Sequence, residues 1–394
     1  MKGCFFELRL SSLDKFPLKI HNELSARDPS FTSVFIYDDE DCDLDFVKKK
    51  IPSNVELIKV KKVNHRYIKN MLSEQNIDFL IVFAQRIPDS TFVAVSNKLE
   101  IPSIMFQHGL YIPFMKREPS LFILKIKKTL RYIRYIYSSS YILKKNFFWM
   151  FFLYFKNQVI GMELKKINFP SKEINCKLVL VYGQHWVEYH KKIYSYETHN
   201  IKIIGVPDFL DIKEQIYEHS FDNSVTYIAQ TLVEDGRLSP KFLDYFLENL
   251  LRSTFENNIR LKILLHPRSN LRFYEKFKDK CEFIKGKIPS TSVFIGHYSS
   301  LLAKAAFFSP KLILVNFPKH QIPDYLKMIA YKEINFDNSD LKSLLSKCLN
   351  EEIDKDLQEE NINKLNYYFE SSIESPYSEA SDRIQDLVRK NARA

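Results

Sequence analysis

Short runs of Val, Ile, Leu and Phe recur along the chain, separated by longer helical-looking stretches. In the first half the runs lie at 33–37, 55–60, 78–83 and 101–106. In the second they lie at 177–182, 201–204, 225–229, 261–265, 282–284, 293–295 and 312–316. Many are unbroken instead of alternating, as expected of parallel strands buried on both faces. Strand and helix in repetition predict a doubly wound α/β architecture. The last stretch, from about Asn338 to Ala394, is charged and helical in pattern.

At 394 residues the chain is long enough for two domains of roughly 100–200 residues each. The expected division is 1–175, 176–350 and a set of C-terminal helices over 351–394 that pack back. With 45% hydrophobic and 27% charged residues, a disordered or fibrous chain is excluded. The five cysteines are scattered, with no C-x-x-C pair. That argues against a disulfide framework or zinc knuckle and for a reducing compartment. The opening residues lack the apolar core and small-residue cleavage site of a signal peptide. The longest apolar run, Phe147–Phe155, has nine residues, short of the ~18–20 that span a bilayer. A cytoplasmic protein, soluble or peripheral to the inner face of the membrane, is expected.

Charge singles out one region. The net charge is +10, and the segment 116–156 alone carries ten Lys or Arg against one acid, Glu118. Twelve aromatic residues lie in the same segment. Basic heads on aromatic bodies suit a helix on an anionic membrane surface. A helical insertion packing its aromatics inward, or a nucleic-acid groove, would use the same residue types. The membrane is the partner expected, and nucleic acid is not.

Glycine is scarce, with 8 in all. Gly109, Gly183, Gly205, Gly236 and Gly296 each follow a predicted strand, at the edge where open α/β sheets bind ligands. A tight turn alone would also call for glycine there.

Four constellations at strand ends carry candidate chemistry. Gln107-His108-Gly109 offers an imidazole as acid, base or anion ligand, or else a structural histidine. In Gln230-Thr231-Leu232-Val233-Glu234-Asp235-Gly236, adjacent carboxylates would push one pKa upward and favour a base, though E-D-G is also turn chemistry. His266-Pro267-Arg268 places imidazole and guanidinium where a phosphate could sit. Gly296-His297-Tyr298-Ser299-Ser300 leads into a helical run, so its hydroxyls can bind an anion or simply cap the helix. The acidic run 38–45 has D-x-D spacing, but its charged surroundings read as a solvated loop, and no metal site is assigned. Phosphate-loop, dinucleotide, zincin and hydrolase motifs are absent from the sequence.

Taken in order, Glu234-Asp235-Gly236, His266-Pro267 and the pair Ser299, Ser300 resemble the D/E-D/E-G, HP and S/T motifs of bacterial sialyltransferases and polysialyltransferases. The lead-in YIAQTLVEDG looks most like the lipooligosaccharide sialyltransferase family, and the likeness covers roughly 225–306. It implies a GT-B architecture: two Rossmann-like domains facing across a cleft, here with a basic aromatic helical insertion over 116–156. It implies inverting transfer of a sialic acid or related nonulosonate from a CMP-sugar to a capsule or lipooligosaccharide glycan or lipid-linked acceptor. No cofactor or catalytic metal would be used. By the same resemblance Asp235 is the base, His266 stabilises the departing phosphate, and Ser299 and Ser300 hold it. Gln230, Glu234, Gly236 and Arg268 line the donor site, with Gln107 and His108 on the acceptor side. Gln107-His108-Gly109 is also similar to the W-H-G element of teichoic-acid glycerophosphotransferases. That likeness implies the alternative of a CDP-polyol phosphotransferase with His108 as base.

Overall fold

The computed structural model describes residues 1–8, 16–38, 49–61, 63–109, 122–157, 171–207, 223–286, 288–306, 311–318, 322–338, 340–351 and 355–392. Thirteen strands form two wholly parallel sheets among these residues. The first contains β1 (Lys2–Glu7), β2 (Thr32–Tyr37), β3 (Val55–Lys59), β4 (Phe79–Val82), β5 (Ser103–Phe106), β6 (Leu178–Val181) and β7 (Ile201–Ile203). Its order is β3-β2-β1-β4-β5-β6-β7. The second contains β8 (Ser224–Ile228), β9 (Arg260–Leu265), β10 (Glu282–Lys285), β11 (Val293–Gly296), β12 (Leu312–Asn316) and β13 (Lys332–Asn335), in the order β10-β9-β8-β11-β12-β13.

Both sheets share one winding logic. The chain lays three strands to one side, then returns to the first strand and continues on the other. This is the Rossmann order, with a seventh strand added to the first sheet. The reversal falls between β1 and β4 in one sheet and between β8 and β11 in the other. In open α/β sheets such a reversal, at the carboxyl ends of the strands, is where ligands bind.

Burial follows the sequence pattern. The runs FLIV of β4, LVLV of β6 and VFIG of β11 are buried at every position, as strands covered on both faces must be. Edge strands differ: in β13 only Ile334 is buried, so no apolar run marks it in the sequence. β1 also escapes the pattern, because only Cys4-Phe5-Phe6 separates its polar ends. It lies inside the sheet nevertheless, paired with both β2 and β4. The Pro240–Glu256 helix covers the second sheet with Leu243, Phe246, Leu247 and Leu250, the i, i+3, i+4, i+7 spacing of one helix face.

The chain divides into two compact units. One gathers the described residues of Met1–His108, Leu124–Pro207 and Glu370–Ala394; the other gathers those of Gly109–Ile123 and Asp208–Phe369. The boundary expected at 175 is therefore corrected to about 207. The strands β6 and β7 extend the first sheet, because β6 pairs with β5. Local pattern cannot report which sheet a buried run will join. The C-terminal helices also divide. Lys355–Phe369 stays in the second unit, where Tyr368 meets Tyr325 at 5.5 Å. Pro376–Ala392 packs on Phe16–Arg27 through Ala380 and Ile384, and Arg27 there bonds Asp382 and the Ser378 carbonyl. Gly205 lets this segment close in. Its φ is +75°, and a Cβ there would lie 2.9 Å from the Ile373 Cβ.

The segment 116–156 is helical where described, over Phe122–Ile142 and Phe147–Phe155; residues 116–121 lie outside the described residues. Among the described residues no helix is long and apolar enough to cross a membrane. Four of the five cysteines are described, and all four are free thiols; Cys42 lies outside the described residues, as does the acidic run beyond Asp38.

Candidate functional site

In the second unit, three loops leave the carboxyl ends of the neighbouring strands β9, β8 and β11. After β8 the backbone coils tightly: the Asp235 N–H bonds the Thr231 carbonyl at 2.9 Å and the Gly236 N–H bonds the Val233 carbonyl at 2.9 Å. Gly236 sits at φ +59°, where a side chain would be strained. This coil turns Thr231 and Asp235 toward each other, and the Thr231 hydroxyl donates to Asp235 Oδ2 at 3.0 Å.

The loop after β9 reaches across to the same place. Arg268 donates from Nη1 to Asp235 Oδ1 at 3.3 Å and from Nη2 to Thr231 Oγ1 at 3.0 Å. The Asn270 N–H donates to Glu234 Oε1 at 2.8 Å. His266 accepts the Arg268 N–H at Nδ1, 3.0 Å away, so in the neutral ring the proton is on Nε2. Residues from E-D-G and H-P-R, distant in sequence, thus form one cluster on adjoining strand ends.

The loop after β11 stands on the other side of β8. Gly296 packs on the helix that follows, where an added Cβ would fall 2.7 Å from Leu302 Cδ1. Contact with the helix accounts for this glycine. The His297 ring donates from Nδ1 to the Val315 carbonyl at 2.6 Å, and Arg237 Nη1 donates to the Tyr298 hydroxyl at 2.7 Å. The Ser299 hydroxyl accepts the Leu301 N–H at 3.1 Å, which makes it the cap of Ser300–Ala305. Both serines are partly exposed, and the Ser300 hydroxyl is not the one that caps the helix.

This arrangement suits an anion. The Arg268 side chain is 45% exposed, so it is held in place yet still reaches solvent. A planar guanidinium fixed at one edge by Thr231 and Asp235 presents its remaining N–H groups in a fork that matches phosphate oxygens. The His266 imidazole lies two residues away on the same loop. Both oxygens of Asp235 are engaged, so the group expected to act as a base here anchors a cation. Arg237, Thr231, Tyr298 and Asn270 are members of the network that sequence reading did not assign to the site. Their signal was only their position within a few residues of a strand end.

Gln107 requires a correction. It is fully buried, and its Oε1 accepts the Tyr182 N–H at 3.0 Å, tying the end of β5 to the end of β6. Its side chain is enclosed within the fold and does not face a substrate. Replacing Gln107 with leucine would orphan that buried N–H at a cost of about 1–3 kcal/mol. Thermal unfolding should show a lower Tm, while nucleotide affinity stays unchanged. His108, by contrast, is exposed and meets Phe16 edge-on at 4.9 Å.

The first unit holds a charged cluster that the sequence reading passed over. Glu7 ends β1, and Arg86 and Asp89 follow β4, so all three flank the reversal between those strands. Arg86 donates to Asp89 at 2.6 and 2.9 Å and to Glu7 at 2.8 Å. Asp89 is fully buried and Glu7 is 3% exposed. Burial, reinforced by the Glu7 charge, pushes the Asp89 carboxyl up to about 6 against the pull of Arg86. Its only trace in the sequence is Gln85-Arg86-Ile87-Pro88-Asp89 directly after an apolar run.

No protein-family model matches this chain, and no curated protein matches it in sequence. Solved structures do match it in fold. A UDP-N-acetylglucosamine 2-epimerase from Listeria monocytogenes, described as putative in its crystal structure, superposes with a TM-score of 0.57 at 10% identity, covering 100% of this chain and 96% of its own. The glycotransferase of kitacinnamycin gives 0.56 at 11% identity, covering 98% and 99%. UDP-GlcNAc 2-epimerase from Neisseria meningitidis, bound to UDP-GlcNAc, gives 0.54 at 12% identity, covering 99% and 100%. These findings correct the expected donor. Several of the matching structures, epimerases and glycosyltransferases, are described with bound UDP or a UDP-sugar. The CMP-nonulosonate sialyltransferase reading and its donor partner fall with that. Two Rossmann-like parallel sheets flanked by helices give this chain the GT-B fold found in glycosyltransferases and nucleotide-sugar epimerases.

Proposed function

We propose that the protein is a glycosyltransferase that takes a UDP-hexose as donor. Its second unit would hold the diphosphate at the loops after β8, β9 and β11. The observation that carries this reading is the guanidinium of Arg268, anchored on Thr231 and Asp235 beside His266 at the carboxyl edge of the sheet. The UDP and UDP-sugars held by structures of the same fold support the choice of nucleotide.

In glycosyl transfer the bond between the anomeric carbon and the β-phosphate oxygen breaks, and negative charge grows on the departing diphosphate. Arg268 would meet that charge with paired N–H donors, and His266 would donate from Nε2. Asp235 and Thr231 would keep the guanidinium aimed. The Ser300 hydroxyl would contribute from the loop after β11. We also place the enzyme peripherally at a membrane surface, on the strength of the cationic, aromatic helices between 122 and 157.

Thermal-shift titration with UDP, UDP-GlcNAc and CMP tests the donor, since a ligand that binds only the folded state raises Tm with its concentration. UDP and UDP-GlcNAc should stabilise the protein and CMP should not. Stabilisation by CMP alone, or by none of the three, would overturn the reading. Proton NMR of UDP-GlcNAc incubated with the protein separates transfer from epimerisation. The configuration at C2 should be retained, and appearance of the C2 epimer would assign the fold's other chemistry.

A further inference from the structure

We infer that the two helices Phe122–Ile142 and Phe147–Phe155 present a lipid-binding face, and that its partner is an anionic bilayer surface. The inference deepens the peripheral location proposed above and rests on it, but not on the identity of the donor. The nine-residue helix is the clearest part. Phe148, Trp149, Phe152 and Phe155 are 76%, 40%, 51% and 41% exposed, whereas Met150, Leu153 and Tyr154 are buried. At 3.6 residues per turn the four exposed rings fall within an arc of about 120°, so one side of the helix faces the protein and the other offers aromatic surface to solvent.

The longer helix continues this face. Leu130, Tyr137 and Tyr141 are 59%, 53% and 54% exposed. With exposed Arg134 they fall at i, i+4, i+7 and i+11, a single stripe along the helix. Tyr137 meets Phe147 at 6.0 Å, and Phe147 meets Phe148 at 5.3 Å, so the two exposed faces join. A contiguous apolar surface of this kind is uncommon on a protein that meets only water.

Charge identifies the occupant. Between 122 and 157 there are eight Lys or Arg and no Asp or Glu. Lys144 and Lys145 are exposed just before the short helix. Lys156 at its end holds its ammonium 4.4 Å over the exposed Phe152 ring, a cation set directly against the aromatic face. Rings that bury shallowly, rimmed by cations, match the headgroup boundary of an anionic leaflet. A purely apolar partner face would leave those cations without counter-charge.

Sedimentation with phosphatidylcholine vesicles, with and without phosphatidylglycerol, tests the assignment on the full-length protein. Binding should require the anionic lipid and weaken with salt. The emission of Trp149 should shift to the blue on binding; the other tryptophan, Trp186, is already 1% exposed. The double substitution Phe148→Ser/Phe152→Ser should weaken binding roughly a hundredfold, about tenfold per ring for partial burial. Lys144→Glu/Lys145→Glu should abolish the preference for anionic lipid. All four side chains are exposed, so Tm and UDP affinity should be unchanged, which separates failure here from failure of the donor assignment. Absence of vesicle binding, equal binding to neutral vesicles, or a homodimer that dissociates on Phe148→Ser would each overturn the inference.

Discussion

Arg268→Ala should weaken UDP and UDP-hexose binding by roughly 10- to 100-fold, the range expected when charge-assisted hydrogen bonds worth about 1.5–3 kcal/mol are removed. The loss should exceed that of any other single change in the second unit. Its guanidinium bridges the loops after β8 and β9 while remaining solvent-accessible. Arg268→Lys should recover little, because an ammonium cannot hold Thr231, Asp235 and a phosphate in one plane. Asp235→Asn should have an intermediate effect, since the amide still accepts from Arg268 but no longer neutralises it. Isothermal titration gives the affinities, and Tm in the absence of nucleotide controls for folding. Equal affinity for UDP in wild type and Arg268→Ala would remove the phosphate site from these loops.

Arg86→Met should destabilise the first unit by about 3–5 kcal/mol, because it strands two buried carboxylates without their shared cation. Glu7 is 4% and Asp89 1% exposed at the side chain, so water cannot replace the guanidinium. Denaturant unfolding measures the effect, and an unchanged midpoint would show that the cluster is not a stabilising unit. The same cluster sets a pH dependence. The Asp89 pKa is raised from 3.8 to about 6 in the folded protein, chiefly by burial. Between those values the native state therefore binds more protons than the unfolded chain. Stability from this group is fully present at the acid end of that window and is lost as pH rises toward 6. The loss is on the order of 3 kcal/mol. Asp89→Asn should flatten the dependence, while Arg86→Met should be partly rescued at the acid end, where Asp89 takes up a proton.

Much of the fold was readable in advance because parallel strands buried on both faces leave a strong trace. Runs such as FLIV, LVLV and VFIG fill every position with apolar residues, and each proved to be a buried strand. β13 left no such trace, since three of its four residues face solvent. β1 has only three apolar residues, and its place between β2 and β4 comes from pairing with strands distant in sequence. The motif residues Asp235, His266 and Arg268 were recognisable as strand-end chemistry. Their contacts with one another depend on β8 and β9 being neighbours.

The chain's own order of residues settled the α/β class, the alternation of strand and helix, and the concentration of positive and aromatic residues between 116 and 156. These are local properties, carried by periodicity and composition within a few turns of chain. Folding in three dimensions decided what no window of sequence contains. It assigned β6 and β7 to the first sheet, divided the C-terminal helices between the two units, and closed Gln107 inside the first. It also paired Asp235 with Arg268, and turned one side of Phe147–Phe155 outward. The physical reason is the same in each case: a side chain's role depends on which distant surface excludes water from it, and that surface exists only once the sheets have formed.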